Sequence, residues 1–384
     1  PPPPPHPAHP TPAPPPSSPT HPRQPTDLES LLAEATEADL EALLAEMPPP
    51  IELPEDARRP IDVVGVLEPG NWGLGRGAFG SGNGRLLSTL MRRTGAPLPS
   101  RWTSILLGRA LLSRVPAPSS VHPVDWVAER AWLLLRMGEA DGARMLVQSV
   151  DVDQFTPKMF SVAVQTALAT ADPAALCPLV EEGQEISDEP VWALADSICA
   201  ALEGEATRAS QQIERARQRG TAGGADLLLT EKVIGAGSNT RRAVSIEWED
   251  IDSLNTYRFG LAAATGSEIP ERLLVRPTMR AWHARAPMVP VEQRVASAQT
   301  AAALGVFSNA SLVEMQSLIG DMMDVTEIQG SVPARLRTAY TAGTPAARME
   351  AIRSLWDEAE GVDERYARHI LTAVAASRIP PSEE

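Results

Sequence analysis

The chain has 384 residues, 43% of them hydrophobic and 4% aromatic, with a formal net charge of −15 and a pI near 5.0. That length suggests two or three structural units, and no apolar run approaches the ~20 residues that a membrane span needs. The acidic balance argues against nucleic acid and against an anionic membrane surface as partners, since both are usually met by a basic face.

Ala, Leu and Arg outweigh Val and Ile, which favours helices over sheets. The expected fold class is all-α, behind a disordered proline-rich arm. The arm is residues 1–26, a tract that cannot bury a core and favours extended polyproline II. Its Pro12-Ala13-Pro14-Pro15 fits a P-x-x-P pattern, although a tract this rich in proline matches it by chance, and a spacer is the simpler reading. The chain opens on proline; a cleaved leader is one reading and a trimmed start is the other.

Residues 27–60 begin with twin phrases. Asp27-Leu28-Glu29-Ser30-Leu31-Leu32-Ala33-Glu34 recurs as Asp39-Leu40-Glu41-Ala42-Leu43-Leu44-Ala45-Glu46. Thr26 and Glu29 have capping-box spacing, and the leucines recur at three and four residues, so short acidic amphipathic helices are expected. Leu28, Leu31, Leu32, Leu40, Leu43 and Leu44 either dock into a partner groove or pack on the chain's own body.

Residues 61–84 are a glycine-rich lead-in, with one short strand or extended segment near 61–67 and then a loop. Gly75-Arg76-Gly77-Ala78-Phe79-Gly80 matches G-x-G-x-x-G, but no strand leads directly into it and no acid lies about 20 residues on, so a dinucleotide site is not expected. The loop reads instead as a lead-in, with Trp72 and Phe79 tucked onto the body.

The strongest signal lies in residues 85–246. Pro157 and Pro190 are 33 residues apart and each opens an apolar periodic stretch. Trp126 and Trp192 are 66 apart, as are Gly138-Glu139-Ala140 and Gly204-Glu205-Ala206. Midway lies Ala171-Asp172-Pro173 at the same phase, and Gly237 falls 33 beyond Gly204. Each phrase reads as a helix end, a left-handed cap and the next helix start. First helices are expected near 124–137, 157–170 and 190–203, and second helices near 139–150, 173–182 and 205–218. Trp126, Trp132, Leu133, Met159, Phe160, Trp192 and Leu194 are the expected core. A single hairpin cannot bury its apolar face, but stacked hairpins can. Residues 247–384 read as less regular helix pairs.

This pattern resembles tetratricopeptide-like and related α-solenoid repeats over about a third of the chain, although the Trp-Leu-Gly-Tyr spacing of their first helix is absent. The resemblance implies architecture, a right-handed superhelical stack of helix hairpins (an α-solenoid), and a scaffold for a protein partner.

Cys177 falls in the second helix of one unit and Cys199 in the first helix of the next. Antiparallel helices leaving the loop between them place the two within about one turn in height, at a 1.5 Å rise per residue. Either they are bonded, pointing to an oxidising compartment, or they are separate buried thiols. The six histidines show no metal-ligand spacing and no nucleophile phrase appears, so neither cofactor nor catalytic residue is expected. Arg276, Arg280, His283 and Arg285 make the most basic short stretch, a candidate surface for an acidic partner helix or glycan. The expected function is a non-catalytic scaffold or adaptor for a protein partner, periplasmic or secreted, with a cytoplasmic location as the alternative. A cell-wall glycan binder and a carboxylate-dependent hydrolase remain as other readings.

Overall fold

The structure, a computed structural model, describes residues 58–238 and 245–381. The expectations for the arm and for the leucines of the twin phrases lie outside these residues. Within them the protein is all-α. The only strands among the described residues are β1 (Val63–Val64) and β2 (Val115–Pro116), an antiparallel pair with Val64 opposite Val115.

Helices α1 (Gly84–Arg93) and α2 (Arg101–Leu112) precede three successive hairpin units. The first pairs α3 (Pro123–Met137) with α4 (Ala140–Val147). The second pairs α5 (Pro157–Ala169) with a 3-10 helix (Pro173–Leu179) that runs into α6 (Val180–Ile186). The third pairs α7 (Pro190–Leu202) with α8 (Ala206–Gln218), and α9 (Ala225–Gly237) follows. Each first helix starts on a proline, whose missing N–H costs nothing in the first turn.

The three turns share one construction. Gly138 (φ 95°), Ala171 (φ 53°) and Gly204 (φ 88°) are all left-handed. In each, two backbone bonds close the helix end. Glu139 N–H reaches Leu134 O at 2.9 Å and Gly138 N–H reaches Leu135 O at 3.0 Å. Asp172 and Ala171 do the same to Ala167 and Leu168, as Glu205 and Gly204 do to Ala200 and Ala201. These are Schellman closures, which satisfy carbonyls that a helix end otherwise leaves open. Gly237 departs from the phase: it ends α9, and a Cβ there would lie 3.1 Å from Leu202 Cδ2, so its smallness serves close packing.

The second helix of the middle unit also differs from the expected single α-helix. Pro178 lies inside it, lacks an N–H and crowds the preceding turn. The backbone winds as a 3-10 helix until Leu179 and only then widens. Cys177 and Cys199 have their Cα atoms 5.5 Å apart and their sulfurs at bonding distance.

The lead-in is fastened by a buried arginine. Arg130 of α3 donates to Leu111 O (2.7 Å), Val64 O (2.9 Å) and Ser113 O (2.6 Å). Burial lowers its pKa to about 9, so it stays charged at neutral pH. Phe79 tucks edge-on against Trp126 at 5.0 Å, as expected. Trp72 does not: it is left-handed (φ 67°), 68% exposed, and lies under the Arg109 guanidinium at 4.7 Å.

After α9 the chain doubles back. Helix α10 (Thr256–Ala264) packs on α5, α11 (Pro277–Arg285) on α3, and α12 (Val295–Leu304) on α2. Small residues permit this approach. A Cβ at Gly260 would sit 2.6 Å from Leu168 O, and one at Gly138 would sit 2.8 Å from the Ala281 Cβ. Thr278 Oγ1 donates to Arg136 O at 3.2 Å across the same seam. An open solenoid touches only sequence neighbours; here the return helices cover the stack. Helices α13 (Asn309–Met322), α14 (Val325–Ile328), α15 (Val332–Thr341), α16 (Pro345–Asp357) and α17 (Gly361–Ser377) complete the order. They help build smaller cores, around Leu312, Leu336 and Leu371 and around Ile352 and Ala375.

Two predictions follow from the turns and the cysteine pair. Gly204→Ala should cost about 1 kcal/mol, the usual penalty of a left-handed Cβ. Gly138→Ala should cost more, because its Cβ also meets Ala281. Ala171→Gly should be neutral or stabilise by about 0.5 kcal/mol, the relief being offset by glycine's chain entropy. Urea melts of the three variants give the order. Reduction of the Cys177–Cys199 bond, 22 residues apart, should lower stability by about 3 kcal/mol. Melts with and without reductant, with thiols counted before and after, check this.

Candidate partner-binding cleft

The first helices of the three hairpins, α3, α5 and α7, line a cleft of about 500 Å³. That volume falls within the range of ligand and peptide-anchor sites. At its base Glu129 of α3 is buried. Its Oε1 accepts from Arg92 Nη1 at 2.6 Å and from Lys158 Nζ at 2.8 Å. Lys158 is in the first turn of α5 because Pro157 starts that helix. Asp125 Oδ1 accepts from Thr156 Oγ1 at 2.6 Å, and the same Thr156 oxygen caps Met159 N–H at 3.3 Å. The cap of one hairpin is thereby tied to the first turn of the hairpin before it.

One helical turn beyond Glu129, Trp132 opens onto the cleft and is 38% exposed. This corrects the expectation that it belongs to the core. Trp126 and Trp192 do belong there, both buried. The edge of Trp192 still reaches the far wall, where its Nε1 donates to Ser187 Oγ at 3.0 Å. It lies flat on Gly183, where a Cβ would be 2.6 Å from the indole ring. Ser161 and Gln165 of α5 and the exposed Ile186 and Glu189 complete the rim. A half-exposed indole beside an ion cluster whose carboxylate is already paired suits recognition of a side chain or short segment.

A second groove, about 580 Å³, runs along the other side of the hairpins between α4, α5 and the 3-10 helix. Arg144 and Asp172 pair across it, and Arg59 enters it bonded to Asp151. It lacks an exposed aromatic.

The candidate arginines fall around α11. Arg280 donates to Leu274 O (2.7 Å) and Glu271 Oε1 (3.2 Å), and Arg285 pairs with Asp141 of α4. Arg280 thus holds the segment that leads into α11 and Arg285 ties that helix to α4, while Arg276, at the helix N-cap, is exposed. His283 is buried, with Nδ1 2.9 Å from Ser297 Oγ. Burial, then the Arg294 and Arg280 charges, lower its pKa to about 4. Nearby, burial raises the Glu139 pKa to about 7, with Arg285 opposing and Asp141 adding.

Among the described residues no group of three or more His, Cys, Asp or Glu gathers as a metal site. No helix among them is long and apolar enough to cross a membrane. A comparison with protein-family models finds no match, and comparisons with curated proteins and with solved structures find none either.

The histidine generates a pH prediction. Its folded pKa lies below the unfolded 6.5, so its neutral form contributes stability above pH 6.5 that is lost as pH falls toward about 4. The loss is of order 3 kcal/mol. Glu139 acts in the opposite sense, since a raised carboxyl pKa weakens the fold as pH rises from 4.5 to about 7. The difference between the parent protein and His283→Asn isolates the first effect. The variant's stability relative to the parent should rise as pH is lowered from 6.5 to 4; chemical melts across that range measure it.

Proposed function

We propose that this chain is a helical-repeat scaffold of the tetratricopeptide-like kind, holding a segment of a protein partner across α3, α5 and α7 without transforming it. The observation that carries this reading is Trp132. It is a large indole left open to solvent where the first helices of three consecutive hairpins line up, above the Arg92–Glu129–Lys158 cluster. Tryptophan and arginine are the residues that most often dominate protein-binding energy. Asp125 Oδ2, 4.0 Å from Lys158 Nζ, balances the second cation of the cluster, so the partner's apolar contact with Trp132 would provide affinity, and Ser161, Gln165 and Glu189 would orient the segment. The Cys177–Cys199 pair supports an oxidising location, periplasmic or secreted.

A photo-cross-linking residue in place of Gln165, introduced in the native cell, should trap one partner through one defined peptide. Trp132→Ala should reduce that product about ten-fold, in keeping with hot-spot truncation, while the helical circular dichroism at the working temperature is retained. Trapping of cell-wall glycan instead of protein, or a yield indifferent to Trp132→Ala, would contradict the reading.

A further inference from the structure

The net charge of −15 conceals a local reversal. Between Glu68 and Asp125 the chain carries seven arginines and no acidic residue. Three of the seven are used internally: Arg92 on Glu129, Arg114 on Glu68, and Arg101 on the carbonyl of Phe307. Arg76, Arg85 and Arg93 are exposed, and among the described residues neither they nor Arg109 pair with a carboxylate.

The same stretch exposes large apolar side chains at helical spacing. On α2, Trp102 and Leu106 are 74% and 58% exposed and share a face with Arg109, which lies over the exposed ring of Trp72. On α1, Leu86 and Leu90 are exposed beside Arg85 and Arg93. Residues three, four and seven apart lie on one side of a helix, so each helix presents an apolar stripe edged with positive charge. Both helices pack on α3, so the inner side of each is already committed to the body.

We propose that α1 and α2 form a docking surface for an acidic amphipathic helix of a partner protein, separate from the Trp132 cleft and independent of the function proposed for it. Leucines of the partner would cover Trp102, Leu106, Leu86 and Leu90. Its carboxylates would meet Arg85, Arg93 and Arg109, which pair with no acid among the described residues. The chemistry favours a helix over the other anionic occupants. Leu86, Leu90 and Leu106 offer nothing to phosphates or base edges. A broad anionic bilayer would also meet the field of the chain's large acidic excess, whereas a narrow helix engages only the local positive strip.

The test titrates the full chain into a labelled helical peptide of about 20 residues, with leucines at i, i+3 and i+4 and glutamates elsewhere. Binding should weaken about ten-fold or more between about 0.05 and 0.5 M salt. The pair Trp102→Ser and Leu106→Ser should weaken it by a similar factor. The triple variant Arg85→Glu, Arg93→Glu, Arg109→Glu should lose the peptide yet bind a version with lysines in place of the glutamates, which the parent protein refuses. That exchange of preference requires a folded surface, so it separates lost recognition from lost folding. No binding of the acidic peptide, equal binding of both peptides by the parent, or capture of anionic vesicles or single-stranded DNA with no affinity for the peptide would overturn the proposal.

Discussion

The architecture depends on one backbone event, a left-handed residue closing a helix end at positions 138, 171 and 204. Each closure turns the chain tightly enough that the next helix must pack against the one just finished. Because the closures are 33 residues apart, α3, α5 and α7 begin at nearly equivalent points, each on a proline. Their outer faces form one side of the stack, and the cleft follows from that alignment. Ala171 shows how strongly the geometry is imposed. Its Cβ is disfavoured there, yet the turn keeps both hydrogen bonds. Pro173 just beyond it starts the next helix with its φ already suitable.

A second constraint comes from the return of the chain. Helices α10, α11 and α12 lie on α5, α3 and α2, at seams where Gly260 and Gly138 leave no room for a side chain. Hairpins that would be independent repeats are thereby made one body. The side of the stack that carries Trp132 and the paired Glu129 is left open by this arrangement. So are the outer sides of α2 at Trp102 and Leu106 and of α1 at Leu86 and Leu90. Arg130 anchors the end of α2 through Leu111 O and Ser113 O, and Arg136 holds the end of α1 through Met91 O and Arg92 O, while their outer sides stay exposed.

Much of this was readable before any coordinates. Proline and glycine are local signals with local causes, so the hairpin starts and turns were placed within a residue or two, and Cys177 and Cys199 were brought together. What was not readable depends on side-chain direction or on distant contacts. Trp126 and Trp132 lie six residues apart on a helix that is apolar nearly all round, so periodicity does not tell which one opens to solvent. Glu129 is the available clue: with Asp125 four residues before it, it puts two carboxylates on one face of the helix, implying cations near that face. The effect of Pro178 was visible in principle, since a proline six residues into a helix cannot continue it. The doubling back of α10 to α12 leaves no periodic trace, because its contacts join residues about ninety or more apart. Averaging charge over the whole chain hid the arginine stretch before α3.

The most direct test of the shared turn is the exchange rate of single backbone amides, measured by NMR. Asp172 N–H, which bonds to Ala167 O at 3.0 Å, should be protected to the same degree as Glu139 and Glu205, its counterparts 33 residues to either side. Protection of Glu139 and Glu205 with free exchange at Asp172 would mean that the middle hairpin closes differently, and the equivalence on which the stack and its cleft rest would be lost.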